Sequence, residues 1–199
     1  MNRTSRLKIA YVAAIVCLGC ASAWLIYSMK PPLLVIPLVA LALLVPGRIQ
    51  GFFWREFFRG RRLLADEDPR GAIAHLDRFL TQVRRRPWLK RLIWLSWGTY
   101  TRDIEVMTLN NLGAAHLALG DLGTARRALE EGRTLDPRSP LPYYNLALLE
   151  QVEGNAGESA RLIERARDLG FEGATSDRLF AQAGELLARI EGHGAKRSS

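Results

Sequence analysis

The feature that most constrains this chain is a self-match at a fixed period. Shifted by 34 residues, Asn111-Leu112-Gly113 lands on Asn145-Leu146-Ala147, Gly120 on Gly154, Asp121 on Asn155 and Gly123 on Gly157. Arg127 meets Arg161, Glu130 meets Glu164, Arg133 meets Arg167 and Leu135 meets Leu169. A period of this length marks a stacked array, in which one unit cannot bury its apolar face alone and packs it against the next. Within one period, 107–119 and 121–135 are two short amphipathic patterns, separated by Gly120 and closed by Asp136-Pro137. Each predicts a helix, and glycine allows the tight turn between them.

The small and large positions in this period resemble those of the tetratricopeptide repeat. That family asks for a large apolar residue, Leu-Gly and an aromatic in its first helix, then Ala, a large apolar residue and Ala in its second, then Pro. The first copy offers Leu109, Leu112-Gly113, His116, Ala125, Leu129, Gly132 and Pro137. The second offers Tyr143, Leu146-Ala147, Glu150, Ser159, Ile163 and Ala166, with Phe171 in place of Pro. His116 and Glu150 depart from the usual aromatic, and Ser159 from Ala. The resemblance covers about 106–173 and implies a short α-solenoid.

It also implies a concave face, lined by the first helix of each unit, that receives a peptide or helix of a partner protein. That groove would carry Met107, Asn110, Asn111, Ala114, Leu117 and Ala118, then Leu141, Tyr144, Asn145, Leu148, Gln151 and Val152. Asn111 and Asn145 either bond a ligand's backbone or hold the neighbouring helix. Some members of the family grip a carboxylate with basic residues on this face, and this sequence places none there.

Charge divides the chain. Residues 1–104 hold 17 basic and 6 acidic side chains, a net +11, against 11 and 14, a net −3, in 105–199. The positive charge flanks apolar runs, which favours a membrane over nucleic acid. Ile9 to Met29 has no charged residue over 21 positions, long enough for one span. Lys30-Pro31-Pro32 forces a turn, and 31–47 forms a second, shorter run with Pro37 inside it. The alternative for that run is a re-entrant or interfacial segment. Cys17 and Cys20 lie in the first run, without the partners a metal site needs. With Arg3, Arg6 and Lys8 before the hairpin and Arg48, Arg55, Arg59, Arg61 and Arg62 after it, both termini are expected in the cytosol of a multi-pass membrane protein.

Two further segments frame the repeats. Asp68-Pro69 opens an amphipathic pattern whose stripe is Ala72, Ile73, Leu76, Leu80 and Val83, so 48–83 predicts juxtamembrane helices forming a degenerate repeat-like unit. Next, 84–104 is a basic and aromatic insert. It reads either as an interfacial helix from near Pro87, meeting anionic lipid through Arg84, Arg85, Arg86, Trp88, Lys90, Arg91, Trp94 and Trp97, or as a segment packed on the stack. A capping helix is expected over 175–192, with Leu179, Phe180, Ala183, Leu186, Leu187 and Ile190 inward and Arg178, Gln182, Glu185 and Arg189 outward. A disordered tail is expected over 193–199.

The expectation is therefore an all-α chain: a basic N-terminus (1–8), spans 9–29 and 31–47, units at 48–83, 106–139 and 140–173, and a cap. His75, His116 and His193 lie in different segments, no Ser or Cys adjoins a base, and no phosphate-binding glycine loop is present, so no catalysis, cofactor or metal is expected. The expected role is a membrane-anchored scaffold for a protein partner. The alternative is a lipid-binding or structural subunit of a transport or secretion complex.

Overall fold

The computed structural model describes residues 48–95, 101 and 103–195, together with seven positions between 13 and 28. Every regular element among the described residues is helical. α1 (Arg55–Ala65) pairs with α2 (Pro69–Arg85), α3 (Ile104–Ala118) with α4 (Leu122–Leu135), and α5 (Pro140–Val152) with α6 (Ala156–Asp168); α7 (Ser176–Ala195) follows. A 3-10 segment, Pro87–Leu95, lies between the first and second pairs. The pairs stack in order, α2 against α3 and α4 against α5, and the first helices also meet one another, α1 with α3 and α3 with α5.

Local chemistry sets the helix starts. Asp68, Asp103 and Asp121 each accept a hydrogen bond from a first-turn amide, those of Gly71 (2.9 Å), Glu105 (2.8 Å) and Thr124 (3.1 Å). Such caps satisfy donors that the helix itself leaves open. Ser139 precedes Pro140 as expected of a cap, but its hydroxyl is buried and makes no capping bond.

The turn between the two helices of each pair has one conformation. Gly120 (φ 76°) and Gly154 (φ 85°) are left-handed there, and Glu67 (φ 59°) takes that place in the first pair. The three turns align all three pairs. Gly60 then matches Gly113 and Ala147, Leu76 matches Leu129 and Ile163, and Ala72 matches Ala125 and Ser159. The packing repeats too: a Cβ on Gly60 would lie 2.6 Å from Leu76 Cγ, and one on Gly113 2.5 Å from Leu129 Cγ. The first pair is thus offset from the second by 53 residues, and not 34, because 19 residues are inserted after α2.

α3 is the centre of the molecule. Ten of its fifteen residues are buried, so it has no free polar face, as a helix surrounded by others should not. Leu109 and Leu112 join the core of the first pair, with Trp54, Phe57, Leu76 and Phe79. Leu117 joins the core of the second and third pairs, with Leu129, Leu146, Leu149 and Ile163.

Several expectations are corrected. The insert is not a free interfacial α-helix, since its 3-10 turns bury Leu89 and Ile93 in the first core. The last helix continues through 193–195, and only 196–199 lie outside the described residues. The expected spans 9–29 and 31–47 lie outside the described residues, save the seven positions, among which Cys17 and Cys20 are exposed and unbridged. Among the described residues no helix is long and apolar enough to cross a membrane. The longest, α7, carries Asp177, Arg178, Glu185 and Arg189. Among the described residues, that finding goes against the expectation of a multi-pass membrane protein with cytosolic termini.

Candidate functional site

The first helices of the second and third pairs, with α7, enclose an open groove of about 330 Å³. Ala114, Leu117 and Ala118 of α3 form one wall. Leu141, Tyr144, Asn145 and Leu148 of α5 form the floor, and Arg178, Gln182 and Leu186 of α7 the opposite wall, with Phe171 at the end. The small side chains of Ala114 and Ala118 keep the α3 wall low, which leaves the space open. Gly113, one position away, faces the other side, against Leu129.

Polar contacts fix the floor. Asn145 Nδ2 donates to Asn110 Oδ1 (2.8 Å), tying α5 to α3, and the Tyr144 hydroxyl donates to Gln182 Oε1 (2.7 Å), tying α5 to α7. The Phe171 ring meets the Tyr144 ring edge-on at 5.0 Å. Burial pushes the Tyr144 phenol above its ordinary pKa, and the charge of nearby Arg178 opposes that rise. Among the described residues, Arg178 is the one charged group in the lining. The groove therefore offers apolar surface, amides, a phenol and a guanidinium, a chemistry suited to recognition.

The expected groove residues divide. Ala114, Leu117, Leu141, Tyr144, Asn145 and Leu148, with Ala118, come together in the lining. Asn110 is buried and engaged by Asn145, so it holds two helices together and is not free for a ligand. Met107 packs on the first core, and Asn111 is half-buried outside the lining. Gln151 faces a second cavity, of about 250 Å³ between α6 and α7, and Val152 packs on the second core. Arg178 and Gln182 were expected to face away and instead line the groove, so the face does carry a basic residue. Their spacing of four with Leu186 puts all three on one side of α7 and is the signal that could have shown them.

α7 does more than end the stack. Leu179, Ala183 and Leu186 bury in one cluster with Leu117, Tyr144 and Leu148, so these three groove residues are already covered. Farther along, a Cβ on Gly120 would lie 3.0 Å from Ile190 Cγ1, and Arg189 reaches Glu67 Oε2 at 3.4 Å. Twenty residues of helix span about 30 Å, enough to run from the third pair back to the turn of the first.

Two of the insert's basic residues, Arg84 and Lys90, are committed within the protein. Arg84 Nε donates to Glu105 Oε1 (2.7 Å) and its Nη2 pairs with Glu131. Lys90 Nζ pairs with Asp103 Oδ2 (2.8 Å) and Glu105 Oε2 (2.6 Å). Burial pushes the Glu105 carboxyl up, but its bonds from Lys90 and Arg84 outweigh this and hold it below the ordinary glutamate range. Trp88 stands edge-on to Phe53 (5.0 Å) and is half-exposed, while Arg85, Arg86 and Arg91 are exposed. The Trp94 side chain and Trp97 lie outside the described residues. No family model matches the chain, and no curated protein matches it in sequence.

Proposed function

We propose that this chain is a helical-repeat interaction module, built on tetratricopeptide-like units, that binds an amphipathic helix of a partner protein in the groove formed by α3, α5 and α7. It recruits and does not catalyse. The observation that carries this reading is the seating of α7. The face of α3 and α5 already accepts an amphipathic helix through Leu117, Tyr144 and Leu148, and beside it stays an open, mostly apolar space. Helix-in-groove recognition asks for such a surface, with apolar anchors three and four residues apart on the ligand. The Arg178 guanidinium favours an acidic residue on the ligand at that end. The resemblance in the 34-residue period supports the same reading, and so does the shared register of all three pairs.

The lipid-binding alternative rests on Arg85, Arg86, Arg91 and Trp88 of the insert, since Arg84 and Lys90 are occupied by Glu105, Glu131 and Asp103. The test is substitution of a half-exposed groove residue. Ala114→Arg places a long charged side chain across the groove without touching the buried core. Proteins that co-purify with the native chain should be lost with Ala114→Arg and kept with Arg161→Glu on the exposed side of α6. Retention of every partner by Ala114→Arg, with the helical content unchanged, would refute the assignment.

A further inference from the structure

We infer that the surface formed by 48–55 and the 3-10 segment docks on an anionic lipid surface, with Ile49, Phe52 and Trp88 among the headgroups and Arg48, Arg85, Arg86 and Arg91 on their negative charges. This surface belongs to the first pair, apart from the groove of the second and third. Three observations carry it. First, two segments make one patch. Residues 48–53 form helical turns ahead of α1, and Arg48, Ile49, Phe52 and Arg55 share one face by their spacing of three and four. The Phe53 ring joins that face to the insert, edge-on to Phe52 at 5.3 Å and to Trp88 at 5.0 Å. Gln50 Nε2 donates to the Leu92 carbonyl (3.2 Å) and ties the two segments together.

Second, the patch exposes large apolar groups over a finished core. Phe52, Trp88 and Ile49 are 66%, 45% and 41% exposed, while Trp54, Phe57 and Leu89 are fully buried. Third, the charge around it has one sign. Neither 48–55 nor 81–93 contains an Asp or Glu. Among the described residues, no ion pair joins Arg48, Arg85, Arg86 or Arg91 to a carboxylate, and Glu105, Glu131 and Asp103 are engaged by Arg84 and Lys90. Guanidinium groups beside an exposed indole suit the headgroup layer, and such a contact needs no spanning helix. Single-stranded nucleic acid asks instead for open ring faces on which bases stack. Here the Arg55 guanidinium lies 5.9 Å over the Phe52 ring, Phe53 is held edge-on to both neighbours, and Ile49 has no ring. The uncharged run 31–47 also leads directly into Arg48, so apolar sequence adjoins the patch.

Hydrogen exchange of the full chain tests this with vesicles of phosphatidylcholine, pure or mixed with phosphatidylserine. With the anionic vesicles, amides of 48–55 and 85–91 should exchange at least about fivefold more slowly, and those of α6 should not change. Added salt should remove the protection, because it screens exposed charges. Arg85→Glu, Arg86→Glu and Arg91→Glu together should abolish it, with exchange in α3 unchanged as the check on folding. Ala114→Arg, in the groove, should keep it. No protection by the anionic vesicles, equal protection by pure phosphatidylcholine, or protection retained by the triple variant overturns the inference. Protection by a single-stranded oligouridylate and not by anionic vesicles overturns it in favour of nucleic acid.

Discussion

At the scale of single residues, the stack depends on positions where a neighbour leaves no room for a methyl group. Gly113 is one, since Leu129 is fully buried and cannot move aside without displacing the core. Gly113→Val should cost about 1–3 kcal/mol, the usual range for overpacking, and lower the unfolding midpoint in urea accordingly. Gly60→Val, against Leu76, should cost a similar amount, because it is the same contact in the first pair. Gly157→Val has open space, and valine is the better helix former of the two, so it should cost nothing. If Gly60 and Gly157 behave alike, the register that equates Gly60 with Gly113 is wrong. Residues of this kind were legible in the sequence where the 34-residue period held, at Gly113, Gly120 and Gly154. Glu67 was not, because a left-handed glutamate leaves no mark in composition; only the fold requires it.

At the scale of elements, ionic contacts join what the core does not. Glu105 begins α3 and holds the end of α2 through Arg84 and the 3-10 segment through Lys90. Its carboxyl is held below the ordinary range in the folded state, so the stabilisation is present above the unfolded pKa, about 4.3, and is lost as pH falls through the lower folded value. Glu56 and Glu150 behave in the same way. A hydrogen bond with His75 lowers the Glu56 carboxyl, and Glu150 is raised by burial but lowered further by Arg126 and Asn155. The thermal midpoint should therefore fall as pH drops from 5 toward 3. Glu105→Gln should lower it at neutral pH by about 1–3 kcal/mol of stability and make the acid side of the profile shallower. An unchanged profile would show that the cluster contributes nothing. Sequence alone could not pair these groups. Arg84 and Lys90 lie 21 and 15 residues before Glu105, and nothing in a run of arginines beside tryptophans tells which of them meet a carboxylate, as Arg84 and Lys90 do, and which stay exposed, as Arg85, Arg86 and Arg91 do.

At the scale of the whole molecule, three helix pairs and a crossing helix leave a groove between α3, α5 and α7. The second and third pairs were readable from periodicity, because stacking demands the same residue sizes at the same spacing. The first pair was readable as an amphipathic pattern but not in register, since the 19-residue insertion hides its match. The path of α7 was not readable at all. Its stripe says that it packs, while Gly170 (φ 96°), Phe171 on Tyr144 and the buried Ala174 decide where. That path is what turns the concave face of α3 and α5 into a partly filled groove.

Position-resolved photo-crosslinking tests this account most directly. A benzophenone amino acid would replace Ala118 or Leu141 in the groove, and Arg127 or Arg161 on the second helices, in living cells of the source. The account predicts that both groove positions trap one and the same partner, through a segment with apolar residues three and four apart, and that Arg127 and Arg161 trap none. Crosslinks of that partner from Arg127 or Arg161, with none from Ala118 and Leu141, would contradict it.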